Sequence, residues 1–240
     1  MKSKLFILLL HFSIFTFPQN ILSIVYDHIT NIQNINSFKR KSYLNLNESR
    51  SKYFIDFNNS YNDVDENILS VRSIKEKFYF KDYQNDSIYY DNTIIFKHFP
   101  TKDPINIFNW ELSKQTKTIL GFNCQRAVMR HYGRTYHAFF TTELGFTHGG
   151  PWKFDGLPGV ILEVYSLDNE FKITATDIKL KNEKLDIENP YKNTTKFIDF
   201  KEFQRLYQQK YKEENKTIVN ADGSTSYQSM PKCQIECLVD

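Results

Sequence analysis

Half of the chain's eight glycines fall within one short run, Gly149-Gly150-Pro151-Trp152-Lys153-Phe154-Asp155-Gly156-Leu157-Pro158-Gly159. A segment so rich in the two residues that set special backbone angles must turn sharply and cannot continue a helix or strand. Leu157-Pro158-Gly159-Val160 has the form of a type II turn, with Pro fixing φ at the first central position and Gly taking positive φ at the second. Val160–Tyr165 is β-branched and apolar, so the turn feeds a buried strand. No Gly-Lys-Ser/Thr ends the run, and it leads into a strand instead of a helix N-terminus, which excludes a phosphate loop. The serine of a nucleophile elbow is also missing. Gly150, Pro151, Gly156, Leu157, Pro158 and Gly159 therefore read as a structural motif, a corner that shapes the fold and does no chemistry itself.

From Ile21 to about Leu180 short apolar and aromatic runs alternate with Asn, Asp and Gly, the pattern of many short strands. Ile24–Tyr26, Lys52–Phe57, Lys77–Lys81, Ser87–Tyr90 and Thr93–Phe96 are such runs, with Asn58-Asn59-Ser60 and Asn85-Asp86 as turns. The clearest hairpin joins Cys124–His131 to Arg134–Thr141 through Tyr132-Gly133, a two-residue loop suited to a primed turn. That register sets His131 against Arg134 and Met129 against Tyr136. Gln125, Ala127, Met129, Tyr136, Ala138 and Phe140 then form a core face. Arg126, Val128, Arg130 and His137 share the other face, as ordinary solvated sheet or the floor of a pocket.

One helix is expected late, with Asp199 as N-cap, Glu202 three residues on, and Phe200, Phe203, Leu206, Tyr207 and Tyr211 on one stripe. Ala221–Ser224 reads as a turn and Cys233–Val239 as a closing strand. Strands, then one helix, then a strand indicate an α+β, mainly β fold. The expected architecture is a strongly curved antiparallel sheet, half-barrel or bowl-like, with the late amphipathic helix packed on it. With 16% aromatic residues the chain has the bulk for a core.

Residues 1–20 have the form of an export signal: Lys2 and Lys4, then an apolar run from Leu5 to Phe17, too short to span a membrane. Cleavage is expected between residues 18 and 23. An uncleaved anchor is the alternative, because Ile21–Tyr26 resumes apolar character. Residues 21–240 then form a single domain, periplasmic or extracellular, with no membrane span after cleavage and no N-terminal cysteine for a lipid anchor. A net charge of +3 without a concentrated basic face excludes nucleic acid as a partner.

Three cysteines remain, in a disulfide-permissive compartment. Cys233 and Cys237 in an extended strand would stand about 13 Å apart, too far to bond each other. Cys124 is open to pairing with Cys233 or Cys237; buried free thiols are the alternative.

No catalytic or metal constellation emerges. Cys124 and His137 share a face, but Val128 opposes His137, which puts the thiol beyond hydrogen-bond reach. The histidines have no HxH or HxxxH spacing, and no CxxC occurs, so neither a metal nor a cofactor is expected. Asp155 and Glu163 form a possible acid pair that nothing localises to a cleft. Arg126, Arg130 and His137, with Trp152 at the rim, are the candidate ligand-binding residues; the competing reading makes Trp152 a core anchor.

Asp155-Gly156-Leu157-Pro158-Gly159-Val160-Ile161-Leu162-Glu163 resembles the signature of the GLPGLI family of exported bacterial proteins. The resemblance extends through Phe108-Asn109-Trp110, Gly121–Ala127, Gly133–Tyr136 and Ala138–Thr141. Phe139 stands where Trp is expected, and the ending Cys233–Leu238 departs from the family pattern. The resemblance implies a β-rich envelope protein of unestablished role. The expectation is a non-enzymatic protein that binds or carries a ligand or an envelope protein partner. The alternatives are a hydrolase of envelope or host polymers, and an interaction module that pairs through a sheet edge.

Overall fold

The computed structural model describes residues 20–32, 36–57, 77–181, 186–215, 217–219, 225–227, 230–233 and 235–239. The export-signal segment and the expected turns at 58–60 and 221–224 lie outside the described residues.

Eleven strands form one sheet: β1 (Ile21–Ile32), β2 (Asn36–Leu46), β3 (Arg50–Ile55), β4 (Lys77–Asp82), β5 (Ser87–Ile94), β6 (Lys97–Asp103), β7 (Glu111–Ile119), β8 (Phe122–His131), β9 (Arg134–Thr141), β10 (Val160–Ser166) and β11 (Phe171–Lys181). Their spatial order is β6-β5-β4-β3-β2-β1-β11-β10-β9-β8-β7, antiparallel throughout and open between the edges β6 and β7. Helix α1 (Phe200–Glu214) follows, then a small hairpin of β12 (Thr217–Val219) and β13 (Thr225–Tyr227). The mainly β architecture with one late helix is the one the sequence pattern implies.

The sheet must curve. Strands β4 and β9 lie six positions apart, about 29 Å if the sheet were flat. Yet Tyr79 on β4 meets Trp152 at 6.1 Å, Trp152 meets Phe154 at 4.8 Å, and Phe154 meets Tyr136 on β9 at 5.4 Å between ring centroids. The β9–β10 loop thus sits inside the sheet and is gripped by both limbs. Tyr26, Tyr53, Tyr90 and Phe171 complete the aromatic lining, all but fully buried.

Helix α1 bridges the open side. Asp199 caps it by accepting from the Glu202 N–H at 2.7 Å. Phe203 packs on Phe99 of β6, while Phe200 packs on Tyr132 in the β8–β9 turn. The apolar stripe read from the sequence is the buried one: Phe200, Phe203 and Tyr207.

The β8–β9 register is the expected one, His131 opposite Arg134 and Met129 opposite Tyr136. Four local expectations are corrected. The Thr93–Phe96 run is no separate strand: Thr93 and Ile94 end β5, and Ile95-Phe96 form the turn into β6, with Ile95 at φ 57° and Phe96 exposed. Among the described residues, Cys233–Val239 adds no strand to the large sheet; Cys233 pairs back on Cys237. That pairing brings the Cys233 and Cys237 Cα atoms to 3.9 Å, and the two are bonded to each other. Cys124 is therefore free; it is buried, and burial pushes its thiol up to about 11.

The fourth correction concerns the glycine–proline corner. The Gly159 N–H bonds to Leu157 O at 2.8 Å, a three-residue turn centred on Pro158 in place of the type II turn. Gly159 is needed for proximity: a Cβ there would lie 2.3 Å from Thr141 O. Gly150 is confined likewise, with Phe154 O 2.6 Å from where its Cβ would stand. Residues 149–159 form a plug threaded through the sheet's interior as well as a corner.

Candidate functional site

The plug is held from below by a buried lysine. Lys81 on β4 points to the concave side and spends its three donors on Gly150 O (3.1 Å), Phe154 O (2.5 Å) and Asp155 Oδ2 (2.9 Å). Asp155 also accepts from Tyr83 Oη and from the Gly156 N–H, both at 2.9 Å. Burial pushes the Asp155 carboxyl upward, but Lys81 outweighs it and holds the group below its usual range. A second buried pair joins Lys153 Nζ to Glu236 Oε2 at 2.5 Å, with the ammonium among the rings of Phe200, Trp152 and Tyr90.

Above the plug, the mouth of the bowl encloses a cavity of about 400 Å³. Its wall comes from β1 (His28, Thr30), β2 (Arg40), β3 and its end (Ile55, Phe57), β4 (Lys77, Tyr79), β5 (Asp91, Asn92, Thr93), Trp152 of the plug, Phe171 of β11, Phe200 and Phe203 of α1, and the C-terminal segment (Cys233, Ile235, Glu236, Leu238). The alternation of β1 to β4 explains the lining, since one face of each strand is turned inward. Trp152 is held at φ 53°, a strained angle for a bulky residue, and it lies on the inner wall between Tyr79 and Phe154.

The polar groups of this wall are unusual. His28 is buried and its Nδ1 lies 2.9 Å from Tyr53 Oη. Burial, with Arg40 nearby, drives its pKa down to about 3, so the ring is neutral at physiological pH. Burial also lowers Lys77 and Arg40. Three wall residues carry a buried polar atom without a hydrogen-bond partner among the described residues: Arg40 Nε, Asp91 Oδ1 and Thr93 Oγ1. Each such atom costs about 1–3 kcal/mol while unmatched. A guanidinium donor, a carboxylate acceptor and a hydroxyl that can do both, beside six aromatic rings (Phe57, Tyr79, Trp152, Phe171, Phe200, Phe203), form a wall suited to a ligand with flat faces and many hydroxyls. Glu236 is held at both oxygens, Oε2 by Lys153 and Oε1 by His131 Nε2 at 3.5 Å.

Of the four candidate ligand-binding residues read from the sequence, Trp152 alone lines this cavity. Arg126 and His137 do come together, with Arg126 Nη2 2.9 Å from His137 Nδ1 and Tyr165 Oη 3.2 Å from the same nitrogen. They sit on the face opposite Tyr136 and Ala138, outside the bowl. Arg130 is exposed. Asp155 and Glu163 are not a pair: Asp155 is committed to Lys81, and Glu163 to Lys117 at 2.5 Å and Thr174 at 3.2 Å. His28, Arg40, Asp91, Thr93 and Glu236 escaped the sequence reading. They lie on four different segments, β1, β2, β5 and the C-terminal segment, and only the fold brings them together. The described residues contain no group of three or more His, Cys, Asp or Glu that could hold a metal ion. No described helix is long and apolar enough to cross a membrane.

Fold and cavity define the class: an open antiparallel β-bowl domain, plugged from within and capped by one helix. Over residues 67–205, more than half of its length, the chain matches the family model described as N-glycanase peptide, N-terminal domain, and it belongs to that family. The matched range includes the Asp155–Glu163 run, so the GLPGLI resemblance is overturned: that run belongs to the N-glycanase N-terminal domain. A solved structure of PNGF-II in a P21 crystal is similar at 19% identity and a TM-score of 0.51, covering 87% of this chain and 38% of that one. Another, in a C2 crystal, is 18% identical with a TM-score of 0.49, covering 87% and 37%. This chain therefore spans little more than a third of the solved chains it resembles, and the likeness is one of fold. No curated protein matches the chain.

Proposed function

We propose that this domain binds carbohydrate in the concave cavity and acts as a glycan-holding module, without itself carrying out chemistry. The carrying observation is the meeting of Trp152 and its neighbouring rings with three wall residues, Arg40, Asp91 and Thr93, that each carry an unmatched buried polar atom. Sugar rings present apolar faces to aromatic side chains and hydroxyls that both donate and accept, which is what this wall lacks. Membership of a family described by the word N-glycanase supports the choice of a glycan over other hydroxyl-rich ligands. The domain works outside the cytoplasm in this reading, as the N-terminal segment implies.

Titration calorimetry with a neutral N-linked glycopeptide and with the same peptide lacking sugar tests the proposal. Heat is expected with the glycopeptide alone, lost in Trp152→Ala. Equal binding of both peptides, or of neither, overturns it. A hydrolase is the second reading. Its one favouring observation is that three acids, Asp91, Glu170 and Glu236, share the wall. Chromatography of the same incubations decides, since a released sugar would establish turnover.

A further inference from the structure

Two cations stand on the inner wall without an anion of their own. Arg40 on β2 and Lys77 at the start of β4 both line the cavity. The alternation that turns His28 and Tyr79 inward turns them inward as well, since Arg40 stands opposite His28 and Lys77 lies two residues before Tyr79. Neither makes a hydrogen bond or an ion pair with another described residue, and Arg40 Nε is buried. The guanidinium lies against two rings instead, 5.3 Å from the centre of Phe38 and 5.2 Å from that of Phe57. Rings attract a cation through their faces and leave its N–H donors unused. The two buried lysines, by contrast, are spent, Lys81 on Asp155 and Lys153 on Glu236.

The two charges also act on each other. Strands β2 and β4 are two spacings apart, about 10 Å, within reach of two long side chains. Burial lowers both groups, and Arg40 pushes Lys77 down further; Asp91 pulls Lys77 back, while no described carboxylate does so for Arg40. Of the acids on the wall, Glu236 is held by Lys153 and His131, and Asp91 Oδ2 lies 3.3 Å from His98 Nδ1. Glu170 precedes β11, two strands from Arg40 and four from Lys77 in the sheet order. An anion between Arg40 and Lys77 would offset both their lost hydration and their repulsion. We infer that the cavity prefers sugars that carry an anionic group, a carboxylate or a sulfate, which Arg40 and Lys77 bind together. This inference rests on the carbohydrate reading above and adds the charge of the sugar to it. Arg40 offers a planar fork that matches such a group at two oxygens, and Lys77 a compact charge on a flexible stem.

Titration calorimetry on the full chain with three forms of one N-linked glycopeptide, neutral, sialylated and sulfated, tests the inference. At least one anionic form should bind about tenfold more tightly than the neutral form, and the tighter of the two names the group. Sodium chloride at about 1 M, where the screening length is about 3 Å, should shrink that difference to about twofold or less. Lys77→Met should bring the ratio of anionic to neutral affinity close to one, and Lys77→Arg should keep it. The ratio is the readout because a loss of structure weakens all forms alike, and salt reads the same charge effect in the unaltered chain if Lys77→Met does not fold. Equal affinity for all three forms overturns the charge preference and leaves carbohydrate binding standing. A preference that persists in Lys77→Met, or in high salt, overturns the paired cations as its cause. Binding of none of the three overturns the carbohydrate reading and the charge preference together.

Discussion

Lys81 Nζ stands 2.9 Å from Asp155 Oδ2 in the interior, with the two side chains 1% and 3% exposed. One comes from β4 and the other from the β9–β10 plug, so this pair fastens the plug to the limb of the sheet it must fill. Removing either partner leaves a buried charge uncompensated. Lys81→Met and Asp155→Asn should each destabilise by about 3–5 kcal/mol in urea unfolding. The double variant should cost less than the two singles together, as expected of partners in one network. Simple additivity would show that the two charges stand apart in solution.

The plug's exit depends on the absence of a side chain at Gly159. Its missing Cβ would overlap Thr141 O, a backbone atom that cannot move without breaking the β9–β10 pairing. Gly159→Ala should therefore destabilise by about 2 kcal/mol or more. Gly156→Ala meets only ordinary contacts, the nearest atom at 3.7 Å, but must adopt φ 83°, a penalty of about 1 kcal/mol. Thermal melts of the two variants should rank in that order, and the reverse order would deny the close approach at Thr141.

Acid should loosen the bowl through His28. Its folded-state pKa, about 3, lies below the ordinary value of 6.5, so the unfolded chain binds the extra proton first. The sign follows: stability is complete above about pH 6.5 and declines as pH falls toward 3, by up to about 1.4 kcal/mol per pH unit from this group. His28→Asn retains a polar partner for Tyr53 and should flatten the decline over that window. Equal slopes in wild type and variant would mean the ring is protonated in the folded protein.

The two faces of the sheet should respond differently to substitution. Arg126→Ala removes a partner of His137 on the outer face and should leave glycopeptide affinity within about twofold, whereas Arg40→Met, inside, should weaken it by about tenfold. Calorimetry on both variants checks this, and the opposite pattern would move the site to the outer surface.

Much of the scaffold was legible because local rules governed it. Tyr132-Gly133 set a hairpin whose register the structure keeps, and Asp199 with Glu202 marked the helix start. The corner at Pro158 was visible, but its turn type was not, because contact with Thr141 from another strand decides it. Ile95-Phe96 looks like strand by propensity, yet the chain spends it on an exposed turn. The Cys233–Cys237 bond was missed by assuming an extended backbone where the chain folds back. The buried lysines were invisible for a deeper reason. Lys81 stands in the sequence only as the end of a strand run, and its three acceptors come from a plug about seventy positions later. The cavity wall follows the same logic, since His28, Arg40, Asp91 and Glu236 meet only through the fold.

The most direct test of carbohydrate binding in the bowl is an amide chemical-shift titration with a neutral N-linked glycopeptide. The account predicts saturable shifts centred on His28, Arg40, Thr93, Trp152 and Glu236, with Arg126, His137 and Tyr165 unmoved. Shifts confined to Arg126, His137 and Tyr165, or none at saturating glycopeptide, would contradict it.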